Sequence, residues 1–150
     1  MLKNRIPLYV SLALLLIALG GIWFFYTRET PEPEQIFTVT INRDCAPWDG
    51  AAFAVSMPLR EGSTIYISIY RSPDLKLPAS FSFPDASGRE GNAYLLMPDG
   101  SPEQLAGRVW FQRVVQGKPV EGRFQLRSEA GARFEGKFLA EWGNEIVYCG

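Results

Sequence analysis

Histidine is absent from the 150 residues of this chain. That removes the side chain that most often serves as general base or metal ligand near neutral pH, and with it His-dependent triads and most zinc chemistry. Neither sign of charge prevails: 15 Lys and Arg face 16 Asp and Glu, a formal net charge of −1. The chain therefore has no electrostatic footprint for nucleic acid. Also missing are GxSxG, a phosphate-binding glycine loop, EF-hand spacing and HExxH, the patterns that seat a nucleophile, a nucleotide, calcium or zinc. No catalytic, metal-binding or cofactor-binding residue is assigned on this basis, and the chain reads as a non-enzyme.

Cysteine is nearly absent. Cys45 and Cys149 are the only two, they form no CxxC pair, and there is no histidine to activate either as a nucleophile. In an oxidising compartment an even pair becomes a disulfide. Closing a loop of about 100 residues would restrict the unfolded chain by ~4.7 kcal/mol in the chain-entropy account. Two free buried thiols are the alternative.

One long stretch lacks charge altogether. "PLYVSLALLLIALGGIWFFY", residues 7–26, contains no Asp, Glu, Lys or Arg, and its length matches a hydrocarbon core of ~30 Å crossed as a helix. Lys3 and Arg5 precede it, whereas Arg28 is soon offset by Glu29, Glu32 and Glu34. The positive-inside bias makes it a single-pass signal-anchor, with residues 1–6 a cytoplasmic tail and the rest extracytoplasmic. The chain would then meet the lipid bilayer through residues 7–26, at the cell membrane. Trp23 and Tyr26 fall where an interfacial aromatic belt lies. The rival reading is a signal peptide cleaved after Ala18-Leu19-Gly20. Against it, the apolar run continues through Ile22, Trp23, Phe24 and Phe25, a poor start for a soluble mature protein. Residues 27–35, "TRETPEPEQ", form a stiff acidic spacer.

What is present in residues 36–150 is a period of two. "IFTVTI", "FAVSM" and "STIYISIYR" alternate β-branched or aromatic residues with polar ones, as half-buried strands do. "ASFSF", "NAYLLM", "RVWFQRVV" and "EIVYC" continue the pattern, and Gly 14 with Pro 11 supplies the turns. The one helical signal is "SPEQLAG", Ser101 to Gly107, with a capping Ser101, Pro102 at the first helical position and Gln104 at the capping-box position. The expected fold is all-β: an Ig-like or jelly-roll-type β-sandwich of about eight or nine short antiparallel strands in two packed sheets, preceded by one transmembrane helix.

Glu121-Gly122-Arg123-Phe124 returns as Glu135-Gly136-Lys137-Phe138. Even positions in both copies are apolar or glycine and odd positions mostly charged, so one hairpin can hold both apolar sets on one face if even residues pair with even. A three-residue loop, Glu129-Ala130-Gly131 with Gly131 left-handed, achieves this. Leu126 then faces Phe134, Phe124 faces Gly136 and Gly122 faces Phe138, each ring covering bare backbone. The same register sets Arg123 against Lys137 and Arg127 against Arg133, which is unfavourable. Gly143-Asn144 offers a further two-residue turn, after which Val147 and Cys149 would point inward, as Cys45 would.

Candidate contacts gather at "CAPWDG", where Trp48 and Asp49 occupy a loop beside the staple, and on the polar face of the third strand at Tyr66 and Tyr70. Trp48 either plugs one end of the domain or stands open for stacking on a sugar or a partner. Asp44 with Asp49, or Asp85 with Glu90, could in principle form a carboxylate pair or bind calcium, although scattered acidic turn residues are ordinary solvation. The expected function is a membrane-anchored protein-interaction or envelope-assembly module. The alternative is a carbohydrate-binding module for cell-surface glycans, with a carboxylate-based hydrolase last. A broad apolar sheet face would favour the first, and an aromatic surface beside Trp48 the second.

Overall fold

The computed structural model describes residues 36–75, 78–144 and 147–149. The membrane segment, the cleavage site and the acidic spacer lie outside the described residues. Among those described, no helix is long and apolar enough to cross a membrane.

Ten strands carry the domain: β1 (Ile36–Cys45), β2 (Ala51–Pro58), β3 (Thr64–Ile69), β4 (Asp74–Leu75), β5 (Ala79–Phe83), β6 (Gly91–Leu96), β7 (Pro102–Phe111), β8 (Val114–Val115), β9 (Val120–Ser128) and β10 (Arg133–Trp142). All-β was expected; the sandwich was not found. One sheet runs β5-β7-β6-β3-β2-β1-β10-β9, and β9 pairs back onto β7. Seven strands thus close into a barrel, and β4 with β8 forms a separate two-stranded ribbon. Closure depends on the ten residues of β7, which serve two neighbours in succession on one edge. Pro102 to Gln104 pair with β6, Gly107 to Phe111 pair with β5, and Leu105 to Phe111 pair with β9 on the other edge. The pairings are antiparallel except that of β1 with β10, which is parallel. Alternation reads the same in a sandwich and in a barrel, so the pattern could not separate them.

The inward residues fill the barrel. Phe53, Phe111, Phe124, Ile41, Met57, Ile65, Ile67, Ile69 and Leu105 are fully buried. Phe111 meets Phe53, Phe81 and Phe138 edge-on at centroid distances of 5.5, 6.0 and 5.7 Å, a geometry that aromatic rings favour.

The "SPEQLAG" segment is not a helix; it begins β7. The Asp99 carboxylate accepts hydrogen bonds from the Ser101 amide (2.9 Å) and hydroxyl (2.6 Å). Ser101 is thereby held in a turn and β7 pairs with β6, so the local capping signal loses to the sheet. That turn belongs to a set. In each, an amide donates to the carbonyl four residues on, and the residue just before that carbonyl donates back: Leu59 with Ser63, Met97 with Ser101, Ser128 with Ala132, and Ala46 with Gly50. Gly62, Gly100 and Gly131 take the left-handed position, at φ of 79, 82 and 91°, as this three-residue loop requires. In the fourth loop, Pro47-Trp48-Asp49, that position holds Asp49 at φ 60°.

The repeated motif forms the expected hairpin, with Leu126 opposite Phe134, Phe124 opposite Gly136 and Gly122 opposite Phe138. A Cβ on Gly122 would lie 2.2 Å from Cζ of Phe138. The ring occupies the space that a side chain would need, which explains that half of the repeat as packing. The final strand differs. β10 ends at Trp142, the Gly143 amide bonds Ile41 (2.9 Å), and Val147 to Cys149 are not in a strand. The cysteines do form a disulfide, Cys45–Cys149, spanning 104 residues. It sits at the rim, with Cys149 exposed and Cys45 half-buried, instead of pointing inward.

Candidate functional site

On β3 the inward set is Ile65, Ile67 and Ile69, which leaves Tyr66 and Ser68 outward, with Tyr70 just beyond the strand. β6 sets Asn92 beside Ser68 and Tyr94 beside Tyr66. On the other side, β2 sets Ser56 beside Tyr66 and Ala54 beside Ser68, with Ala52 next to Asp44; the two alanines are 1 and 2% exposed. Because those side chains are short, Asp44 on β1 reaches across β2. Its Oδ2 accepts hydrogen bonds from the Ser68 hydroxyl (2.7 Å) and the Tyr66 hydroxyl (3.2 Å), and its Oδ1 from the Cys45 amide (2.8 Å).

Above this network stands Trp48. Its ring meets Tyr70 edge-on, centroids 5.3 Å apart at 78°, yet 51% of the residue stays exposed. Gly50 makes this position possible: a Cβ there would fall 2.7 Å from the indole nitrogen. The Tyr70 hydroxyl accepts a hydrogen bond from the Asn92 amide. Burial, then the neighbouring Tyr94 and Asp44, push the Tyr70 phenol above its ordinary value, so it stays neutral and keeps its proton for hydrogen bonding.

The structure therefore brings together Trp48, Tyr66 and Tyr70, three of the four contacts expected from sequence. Asp49, the fourth, is exposed in the loop that presents Trp48. The plug expected for Trp48 is only half right: one part of the ring packs on Tyr70 and the rest faces solvent. Sequence reasoning missed Asp44 as the hub, along with Ser68 and Asn92. The available signal was the pair of small residues, Ala52 and Ala54, in alternate positions of a strand.

Asp44 and Asp85, one from each candidate carboxylate pair, are both engaged in hydrogen bonds. Among the described residues no hydrogen bond joins Asp44 to Asp49. Asp85 instead organises a turn, accepting from the Ser87 hydroxyl (2.6 Å) and the Glu90 amide (2.6 Å). These bonds hold its carboxyl down to about 2, the wrong direction for a general acid at neutral pH. No group of three or more His, Cys, Asp or Glu among the described residues could hold a metal ion.

A second feature lies on β7, β9 and β10. A cleft of about 710 Å³ opens beside Trp110, with Arg123, Lys137 and Leu139 on its walls and Gly122 in its lining. The Arg123 guanidinium sits 4.5 Å, and that of Arg108 5.8 Å, from the Trp110 ring centroid. No family model, no curated protein and no solved structure matches the chain.

Proposed function

We propose that this chain is a non-enzymatic binding module, held at the cell membrane by residues 7–26 with its barrel on the extracytoplasmic side, and that it binds surface glycans. The observation that carries the ligand class is the half-open Trp48 ring standing against Tyr70. An indole beside hydroxyl, amide and carboxylate groups matches a sugar, whose ring has an apolar C–H face and a rim of hydroxyls. Asp44 and Asn92 are already oriented by their own hydrogen bonds, so little ordering is left for binding. The Cys45–Cys149 disulfide supports the compartment, since such bonds persist where the surroundings are oxidising.

A protein-interaction or envelope-assembly role would be favoured by a broad apolar face. The exposed large apolar side chains among the described residues are Trp48, Met97, Leu139 and Tyr148, on four separate segments. The glycan reading therefore takes precedence.

The test is tryptophan fluorescence of residues 36–150 titrated with a panel of envelope oligosaccharides. A saturable change that W48A abolishes, with the fold intact by circular dichroism, supports the reading. A change that survives W48A, or none across the panel, turns the assignment to a protein partner, to be sought by crosslinking in intact membranes. N-terminal sequencing of the mature protein separately tests the anchor: a start at Gly21 would sink it.

A further inference from the structure

The Asp44 carboxylate is held by three donors, the Ser68 and Tyr66 hydroxyls and the Cys45 amide, and all three are neutral. Among the described residues no lysine or arginine forms an ion pair with it. The face around it is equally bare of cations. Among the described residues, no outward position of β1 from Thr40 to Asp44, or of β2, β3 and β6, holds a lysine or arginine. Arg43, of the opposite parity, donates to Gln116 (2.6 Å), and Arg71 and Arg89 are exposed in the turns beyond the strands. The outward positions of β7, β9 and β10 are where Arg108, Arg123, Arg127 and Lys137 stand. A chain of net charge −1 thus keeps one face free of positive charge.

The aromatic groups stand beside Asp44. Asp44 pairs with Ala52 across β1 and β2, and Ala52 lies one residue before Phe53, which faces Ile69 on β3. Tyr70 therefore falls in the same row, its Cα ~10 Å from that of Asp44 at two strand spacings, and the residue between them is the small Ala52. After burial and Tyr94, the Asp44 charge is the third cause that raises the Tyr70 phenol, so its field reaches that ring. Trp48 meets Tyr70 at 78°, centroids 5.3 Å apart, which makes two aromatic walls at nearly a right angle. Such π faces attract an organic cation, and a carboxylate beside them adds to the attraction. A bare metal ion is poorly served: no group of three or more His, Cys, Asp or Glu among the described residues could hold one, and a single carboxylate leaves most of a coordination shell unfilled.

We propose that the sugar taken at Trp48 and Tyr70 is an amino sugar with a free, protonated amine, its ammonium against Asp44 and its ring on the indole. The inference rests on the glycan reading and adds the charge of the glycan to it. A hydroxyl at the same place offers Asp44 a neutral hydrogen bond, whereas an ammonium offers a charge-assisted one, roughly twice as strong. An acidic glycan meets a face with no cation to receive it, so the same charges that favour one class reject the other.

The experiment uses the full chain in neutral detergent and slightly acidic buffer, where sugar amines carry their protons. The probes are the β-1,4-linked tetramer of glucosamine, cellotetraose as its neutral counterpart, and tetralysine as a cation without sugar rings. Each is titrated against the Trp48 emission, taken as the difference between the wild type and W48F. The glucosamine tetramer is expected to bind at least tenfold more tightly than either of the others. D44N, with its circular dichroism unchanged, should shrink that preference below twofold. Equal affinity for the glucosamine tetramer and cellotetraose would overturn the inference and leave the glycan reading standing. Tetralysine binding as tightly as the glucosamine tetramer would move the site to basic peptides and overturn both. A preference that survives D44N would place the charge elsewhere and overturn the inference alone. Silence from all three probes also overturns it, and the glycan reading is then decided by the wider oligosaccharide panel. If D44N does not fold, the wild-type contrast among the three probes decides.

Discussion

Asp49 occupies a left-handed position that glycine holds in the three sister loops. An L-residue there costs of order 1 kcal/mol, somewhat less for Asp, whose side chain bonds locally. Asp49→Gly is therefore expected to raise stability by about 0.5 kcal/mol, because the extra freedom of glycine when unfolded cancels part of the relief. Chemical denaturation would show it as a higher midpoint at an unchanged slope; a lower midpoint would mean that the Asp49 side chain stabilises the loop. Gly50→Ala is the converse test. Its Cβ collides with the indole, so Trp48 should leave Tyr70 and its emission should shift, while the barrel keeps its stability within about 1 kcal/mol. Trp48 and Asp49 were legible in the sequence as an unusual loop. The role of Asp44 was not, because it depends on a contact across β2 at which the small Ala52 and Ala54 hint without naming the residue that crosses.

Among the elements, the β9–β10 hairpin was the most legible. Parity, a loop of three residues and a glycine at its third place together leave little choice of register, and the observed pairs are those expected. The start of β7 was the least legible. Ser101, Pro102 and Gln104 satisfy the local grammar of a helix start, but β6 and β9 offer two sets of backbone partners that a single helical turn cannot match. The Asp85 turn carries a pH prediction. Its folded pKa, about 2, lies below the ordinary value of 3.8, so its contribution is complete above the unfolded value and is lost as pH falls through the folded one. Thermal unfolding should show a loss of stability between pH 3.8 and about 2 that Asp85→Asn reduces. An identical acid limb in the variant would mean that these bonds do not persist in solution. Because the group is exposed, the effect should be small.

For the whole molecule, the all-β class and the cysteine pairing were readable, since alternation and an isolated cysteine pair are strong local signals. Closure was not, because it needs β9 to pair back onto β7 and, between the first and last strands, the parallel contact of β1 with β10. That contact and the staple together govern how the domain behaves under tension. A pull on the two ends of residues 36–150 enters along β1, whose six paired residues on β10 and six on β2 must shear. It then arrests at Cys45, because Cys45 and Cys149 are covalently joined. Only the ten residues of β1 can pay out, a lengthening of ~35 Å, against ~400 Å for the reduced chain at ~3.5 Å per residue. Single-molecule stretching before and after reductant would measure both lengths, and a long extension without reductant would show that the staple does not form. A barrel closed in this way behaves under load as a short tether with a hard stop.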